Sequence, residues 1–151
     1  MVSNSDMGSS LPFAPKKIGV VGCGVVGKTL IKAIAVQPDM QLIGVCDIAP
    51  SLTLRFATNM GLDIPVFARN QQAVDAMEMA GIRVAGVFED LLRAADLICD
   101  TSSPGQGKQN IDIYDRFDVP VIFQGGEDPS ISAISSSGSS SSRTRRCATI
   151  R

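Results

Sequence analysis

The sequence of 151 residues contains no histidine and only 4 cysteines. Cys23, Cys46, Cys99 and Cys147 form no C-x-x-C pair, so neither a zinc site nor a disulfide framework is expected. No apolar run approaches the roughly 20 residues that a helix needs to cross a bilayer. The 14 basic and 15 acidic side chains give a net charge of -1, without the basic excess that favours nucleic acid. We therefore expect no metal, no membrane partner and no nucleic-acid partner.

Both ends of the chain differ in composition from the middle. Residues 1–16 have no positive charge before Lys16 and no apolar segment, which predicts a flexible leader rather than a signal peptide. A cytoplasmic location is the corresponding expectation. Residues 128–151 combine a serine run with several arginines, a composition that cannot bury a core. We expect a disordered tail there, with arginines that form a solvated cluster.

The middle of the chain opens on a glycine-rich stretch. Residues 17–27 have the sequence Lys-Ile-Gly-Val-Val-Gly-Cys-Gly-Val-Val-Gly. The β-branched start suits a buried parallel strand, and Gly22, Gly24 and Gly27 then have the spacing G-x-G-x-x-G. A strand, glycine turn and helix of this kind hold the pyrophosphate of a dinucleotide at the helix N-terminus. The predicted cofactor-binding residues of this stretch are Gly22, Cys23, Gly24, Val25, Val26 and Gly27.

Each glycine has a separate mechanical role in this prediction. Gly22 permits the tight turn out of the strand, and Gly24 lacks the Cβ that would keep a pyrophosphate away from the backbone. Gly27 allows the following helix to pack close to the sheet. Cys23 is interpreted as a small turn residue rather than as a thiol activated by the helix N-terminus.

A second predicted strand, residues 41–46, ends in an acidic residue. Asp47 lies 20 residues after Gly27, the position at which a carboxylate hydrogen-bonds the hydroxyls of the adenine ribose. A carboxylate accepts bonds from both hydroxyls, whereas it repels the 2′-phosphate of NADP. Asp47 therefore predicts that NAD is the preferred cofactor, with NADP possible.

Strand-like and helix-like segments alternate through the rest of the middle region. Strands are predicted at 64–68, 82–87, 96–100 and 119–124, and helices at 28–37, 51–60, 71–80, 89–95 and 107–117. This alternation predicts an α/β fold with a doubly wound, mostly parallel, Rossmann-like sheet. Ligands bind outside the carboxyl ends of the strands in such sheets, which makes the loop after Asp100 a candidate for ligand contact.

Several short segments, in this order, resemble one family. Residues 18–28, 37–45, 80–86, 89–92 and 121–127 are similar to segments of archaeal-type phosphorylating glyceraldehyde-3-phosphate dehydrogenase. The likeness covers residues 17–127, which corresponds to the cofactor domain of that family. It implies an NAD(P)-binding Rossmann domain over this range.

The resemblance also implies a chemistry. Members of that family oxidise glyceraldehyde 3-phosphate with NAD or NADP and inorganic phosphate, through a thioester on a cysteine, and they work as tetramers. By resemblance, the loop after Asp100 lies along the cofactor toward the nicotinamide, with Thr101 and Ser102 as contacts and Asp100 as a turn or helix partner. The family's Ser-Cys-Asn-Thr-Thr segment does not follow residue 127, so we expect the catalytic substrate domain to be absent and assign no catalytic residue.

These observations leave three functional hypotheses. The first is a truncated or frameshifted cofactor domain of a glyceraldehyde-3-phosphate dehydrogenase-like oxidoreductase, which would take a small-molecule substrate only with a catalytic domain supplied. The second is a stand-alone dinucleotide-binding or sensing module. The third is another Rossmann reductase, such as a dihydrodipicolinate-reductase-like protein, which would share the first β–α–β unit but not the Phe-Gln-Gly-Gly-Glu ending at 123–127. A homo-oligomer is compatible with each of them.

Overall fold

A parallel β-sheet with helices on both faces forms the framework of the protein. The computed structural model describes residues 13–59, 61–124 and 148–149. Its strands are β1 (Lys16–Val21), β2 (Met40–Asp47), β3 (Val66–Ala68), β4 (Val84–Val87), β5 (Leu97–Asp100), β6 (Val121–Phe123) and β7 (Ala148–Thr149). Its helices are α1 (Val25–Ala35), α2 (Leu52–Thr58), α3 (Gln71–Met79), α4 (Phe88–Ala94) and α5 (Gln106–Arg116).

The strand order confirms the predicted doubly wound fold. The order across the sheet is β4-β3-β2-β1-β5-β6-β7, and every described pair is parallel. The chain winds outward from β1 in one direction through β2 to β4 and then in the other through β5 and β6. The winding therefore reverses between β1 and β5, and in sheets of this kind the crevice at that point is where ligands bind.

Two hydrophobic cores cover the two faces of this sheet. One contains Ile31 and Ile34 of α1 together with Leu54 of α2 and Met77 of α3. The other contains side chains of α4 and α5, with Phe88 and Leu91 completely buried. Because side chains alternate along a strand, β1 supplies Ile18 and Val20 to the first core and Val21 to the second.

Backbone hydrogen bonding explains why two of the strands begin later than the sequence predicts. β3 begins at Val66 rather than at residue 64, because Pro65 precedes it and has no N–H to donate. β4 begins at Val84 rather than at residue 82, because the Ile82 N–H donates to the Met77 carbonyl and closes the end of α3.

Two further elements differ from the sequence prediction. α1 begins at Val25, so Gly27 lies inside the first turn of the helix instead of preceding it. Ala148–Thr149 pairs with β6 as a short strand, within the segment that was expected to be a disordered tail. The leader prediction for residues 1–12 and the remaining tail prediction lie outside the described residues.

Candidate dinucleotide site

A cleft of about 280 Å³ lies at the carboxyl edge of the sheet, where β1, β2 and β5 end. Six of the predicted site residues line it, namely Gly22, Cys23, Gly24, Asp47, Thr101 and Ser102. A larger groove of about 720 Å³ lies at the amino ends of β3 and β4 and contains none of the predicted site residues. The smaller cleft is the candidate site because it coincides with the reversal of the winding.

The turn after β1 is held from both sides. The Gly22 N–H donates to the Cys46 carbonyl of β2 at 2.8 Å, and the Thr101 hydroxyl donates to the Gly22 carbonyl at 2.6 Å. Gly22 has a φ of +83°, and a Cβ on it would lie 2.8 Å from the Ser102 amide nitrogen. Position 22 therefore requires glycine for both its backbone conformation and the close approach of the loop after β5.

The other two glycines of the motif differ in what surrounds them. A Cβ on Gly27 would lie 2.1 Å from the Gly22 carbonyl oxygen, so the start of α1 packs directly on the turn. A Cβ on Gly24 would meet no atom of residues 13–59, 61–124 or 148–149 within 4 Å. No contact within the described residues requires glycine at position 24, whereas a pyrophosphate lying on the turn would use that open space.

The N-terminus of α1 faces this turn without a side chain to cap it. Gly24 is the N-cap residue and none of the described side chains hydrogen-bonds there, so the first N–H groups of the helix are available to an anion. Val25 and Val26 do not line the cleft, and their side chains are exposed. Any contact that these two predicted residues make with a phosphate would therefore come from their backbone N–H groups.

Asp47 ends β2 and directs its carboxylate toward the glycine turn. Its Oδ2 accepts a bond from the Cys23 N–H at 3.2 Å, and its Oδ1 accepts one from the Ile48 N–H at 2.7 Å. Burial raises the pKa of Asp47, and the two N–H donors partly oppose that rise. An ionised carboxylate has about four acceptor positions, so both oxygens keep capacity for further donors such as ribose hydroxyls.

The loop after β5 is organised by a buried carboxylate. Asp100 is 2% exposed, and it accepts bonds from the Ser102 N–H at 3.0 Å, the Asn110 amide at 3.2 Å and the Tyr114 hydroxyl at 2.6 Å. The Ser102 hydroxyl donates to it as well. Asp100 is thus a turn and helix partner, as the family resemblance implied, and it fixes the Thr101–Ser102 segment at the edge of the cleft.

The three described cysteines are buried thiols. Burial is the main cause that raises the pKa of Cys23 to about 11, of Cys46 to about 12 and of Cys99 to about 11. At Cys23 the Asp47 carboxylate adds to the effect of burial, whereas the charge of Lys28 opposes it, and the interpretation of Cys23 as a small turn residue stays a prediction. Within residues 13–59, 61–124 and 148–149, no group of three or more His, Cys, Asp or Glu could hold a metal ion. No helix of the same ranges is long and apolar enough to cross a membrane.

One side chain in the cleft was missed by the sequence analysis. Arg69 directly follows β3 and lines the cleft, and its buried Nη1 has no hydrogen-bond partner within the described part of the chain. The signal that could have found it is its position, since the residue after the last one of a parallel strand lies at the carboxyl edge. That signal needs the order of the strands, which the sequence alone does not provide.

The fold is similar to that of solved dehydrogenases. Apo scyllo-inositol dehydrogenase from Lactobacillus casei matches with a TM-score of 0.54 and 20% identity, over 74% of this chain and 28% of that chain. The same enzyme with bound NAD(H) and scyllo-inositol matches with a TM-score of 0.53 and 20% identity, over 73% of this chain and 28% of that chain. At this identity the comparison establishes the fold alone.

Curated relatives from archaea are similar over most of this chain. Glyceraldehyde-3-phosphate dehydrogenase of Pyrobaculum islandicum is 38% identical over 79% of this chain and 34% of that protein. The protein of the same name from Saccharolobus islandicus is 42% identical over 78% of this chain and 34% of that protein. The sequence likeness to archaeal glyceraldehyde-3-phosphate dehydrogenase is confirmed, and the chain spans about a third of the length of these relatives.

A family model defines the domain itself. The model described as dihydrodipicolinate reductase, N-terminus, matches residues 16–129, which include the glycine turn, Asp47 and the loop after β5. The matched range extends beyond the first β–α–β unit and includes residues 123–127. This chain belongs to the family of dihydrodipicolinate reductase N-terminal domains.

Proposed function

We propose that this chain binds a dinucleotide in the cleft at the carboxyl edge of its sheet and prefers NAD to NADP. The pyrophosphate lies over the turn from Gly22 to Gly27, the adenine ribose at Asp47, and the nicotinamide half toward Thr101 and Ser102. The observation that carries the proposal is the open space at Gly24, beside the uncapped start of α1 and the spare acceptor capacity of Asp47.

Asp47 supports the preference for NAD. Its carboxylate is held in place by the N–H groups of Cys23 and Ile48, so it cannot turn away from a 2′-phosphate without breaking both bonds. Repulsion between the two anions then disfavours NADP, whereas the hydroxyls of NAD donate to the same oxygens.

Calorimetric titration with NAD and NADP at low salt tests this proposal. We expect saturable NAD binding, much weaker NADP binding, and a shift of the affinity ratio toward NADP in Asp47→Ala. Asp75→Ala is the matched control, because Asp75 is an exposed carboxylate on α3 outside the cleft and its replacement changes the net charge equally. An unchanged ratio in Asp47→Ala would contradict the assigned role, and absence of binding to both dinucleotides would contradict the site.

The relatives support a more specific role in glyceraldehyde 3-phosphate oxidation. We assign the chain to the cofactor-binding part of such an enzyme and expect no turnover from the 151-residue chain itself. The buried thiols Cys23, Cys46 and Cys99, with pKa values near 11 to 12, are not suited to thioester chemistry at neutral pH. Turnover with glyceraldehyde 3-phosphate, NAD and phosphate would contradict this expectation.

The second candidate function is that of a reductase of the dihydrodipicolinate type, and the family match over residues 16–129 favours it. A chimera distinguishes the two candidates. Residues 16–129 would replace the corresponding segment of the Saccharolobus islandicus protein. We expect NAD-dependent oxidation of glyceraldehyde 3-phosphate by the chimera. A folded chimera that binds NAD without oxidising this substrate would favour the reductase.

A further inference from the structure

Arg69 is a charged side chain in the cleft whose hydrogen bonding is incomplete. It is half-buried, and its Nη1 is fully buried with no hydrogen-bond partner among the residues that the structure describes. A buried donor of a charged group that remains unpaired is costly, and such groups are rare in folded proteins unless a ligand or water pairs with them. The arrangement indicates that an acceptor outside the described residues belongs beside Nη1.

The sheet places Arg69 at one particular part of the cleft. The last residue of β3, Ala68, pairs with Asp47 at the end of β2, and the Arg69 N–H donates to the Asp47 carbonyl at 3.1 Å. β3 lies on the far side of β2 from β1 and β5. Arg69 is therefore on the Asp47 side of the glycine turn, away from the Thr101–Ser102 loop.

A buried aromatic ring holds the guanidinium there. The Cζ of Arg69 lies 4.2 Å from the centroid of the Phe88 ring, and Phe88 is completely buried. The charge also acts on Cys46, where it opposes the rise in pKa that burial causes. Contact with a ring restricts the guanidinium without using its N–H donors, so the side chain is oriented and Nη1 is still free to donate.

We infer that Arg69 is a cofactor-binding residue whose Nη1 donates to an acceptor of the adenosine half of the dinucleotide. This inference rests on the proposed function, since it assumes that a dinucleotide occupies the cleft with its adenine ribose at Asp47. Arg69 and Asp47 then contact the same half of the ligand from the ends of two adjacent strands. Phe88 is the positioning residue that keeps the guanidinium in place.

Substitution at position 69 tests the inference through the affinities for NAD and ADP-ribose, with NADP as a comparison. Arg69→Met keeps an unbranched side chain against Phe88 and removes every donor. We expect its affinity for NAD and for ADP-ribose, which keeps the adenosine but lacks the nicotinamide, to fall by about tenfold each, the factor given by one lost hydrogen bond from a charged donor. Arg69→Lys retains a charged donor and is expected to recover about threefold of that loss.

Arg93→Met is the matched control. Arg93 also lies over an aromatic ring, with its Cζ 5.2 Å from the Phe117 centroid, but it pairs with Asp90 and does not line the cleft. We expect unchanged affinity for both ligands in this variant. Circular dichroism of each variant confirms that the fold is retained before the affinities are compared.

The outcomes separate this inference from the proposed function. If the wild-type chain binds NAD and folded Arg69→Met binds it with the same affinity, the role of Arg69 is overturned and the proposed site stands. A loss for NAD without a loss for ADP-ribose would overturn the assignment to the adenosine half, and a loss confined to NADP would assign Arg69 to the 2′-phosphate instead. Failure of the wild-type chain to bind NAD and ADP-ribose would overturn both proposals.

Discussion

Gly27 and Gly22 are in such close contact that a Cβ on Gly27 would lie 2.1 Å from the Gly22 carbonyl oxygen. The same Cβ would lie 2.8 Å from the Thr101 hydroxyl, which donates to that carbonyl. The first turn of α1, the glycine turn and the loop after β5 therefore meet at one point. Substitutions at these glycines separate what the fold requires from what a ligand requires.

Gly27→Ala is expected to destabilise the protein. Alanine would gain about 1 kcal/mol of helix propensity over glycine, but overpacking against fixed backbone atoms costs about 3 kcal/mol. The net effect is a loss of about 2 kcal/mol in the free energy of unfolding. Urea denaturation followed by far-ultraviolet circular dichroism measures it, and an unchanged midpoint would show that α1 does not pack on the turn as described.

Gly24→Ala is expected to leave the stability of the protein unchanged and to weaken NAD binding. Its φ of -79° is allowed for alanine, and the added Cβ would meet no atom of the described chain within 4 Å, so the urea midpoint should equal that of the wild type. The methyl group would occupy the space assigned to the pyrophosphate, and NAD affinity should fall by about tenfold or more, equivalent to at least about 1.4 kcal/mol. Full NAD affinity in a folded Gly24→Ala variant would exclude a pyrophosphate from this part of the turn.

The ionisation of Tyr114 reports on the buried hydrogen bonds around Asp100. It is the only tyrosine in a chain without tryptophan, so its absorbance reports its own ionisation. Burial, followed by the Asp100 carboxylate, raises the pKa of Tyr114 well above its usual value. Because the pKa of Tyr114 is higher in the folded state, the stability contributed by its neutral hydroxyl is fully present below the ordinary tyrosine pKa. This contribution is lost as the pH rises from the ordinary pKa through the raised one. We expect tyrosinate absorbance to appear only as the protein unfolds in alkali.

Tyr114→Phe tests the same network at neutral pH. The substitution removes the donor that lies 2.6 Å from Asp100 Oδ2 and leaves the ring contacts with Phe88 and Phe123 in place. Loss of a hydrogen bond to a buried carboxylate should lower the free energy of unfolding by about 1.5–3 kcal/mol. Tyr114→Phe with wild-type stability would show that Asn110 and Ser102 satisfy Asp100 without the hydroxyl.

Asp47 predicts opposite pH trends for stability and binding. Because burial raises its pKa, the stabilisation from Asp47 is fully present below the ordinary carboxyl pKa and declines as the pH rises through the raised value. NAD binding requires the ionised carboxylate and should weaken as the pH falls through that same value. Calorimetric NAD titrations and urea denaturation over the acidic range measure the two trends. Asp47→Ala should remove this dependence from both, and a wild-type pH profile in Asp47→Ala would assign the trend to another group.

The sequence predicted the parts of the fold that depend on local pattern. Gly22, Gly24 and Gly27 identified the turn after β1, and Asp47 was placed correctly at the end of β2 because an apolar run ended there. Strand starts were less accurate where a single backbone group decides them, as at Pro65 and at the Ile82 N–H. Such details depend on which partner each N–H finds in the folded chain.

Arg69 illustrates what local pattern could not predict. Its sequence neighbours gave no functional signal, and its place in the cleft follows from the pairing of β3 with β2. Its orientation depends on Phe88, the first residue of α4. In the sequence, α3 and β4 lie between Arg69 and Phe88. Both relationships are long-range contacts, so they became visible only with the assembled sheet.

The central position of β1 determines how ligand binding would affect hydrogen exchange inside the domain. β1 is hydrogen-bonded to β2 on one side and to β5 on the other, and a hydrophobic core covers each of its faces. Amide protons of Val20 and Val21 should therefore exchange with solvent only when the entire domain opens. Because the candidate site begins where this strand ends, occupancy would slow the exchange of those interior amides by mass action on global opening, although no ligand atom touches them.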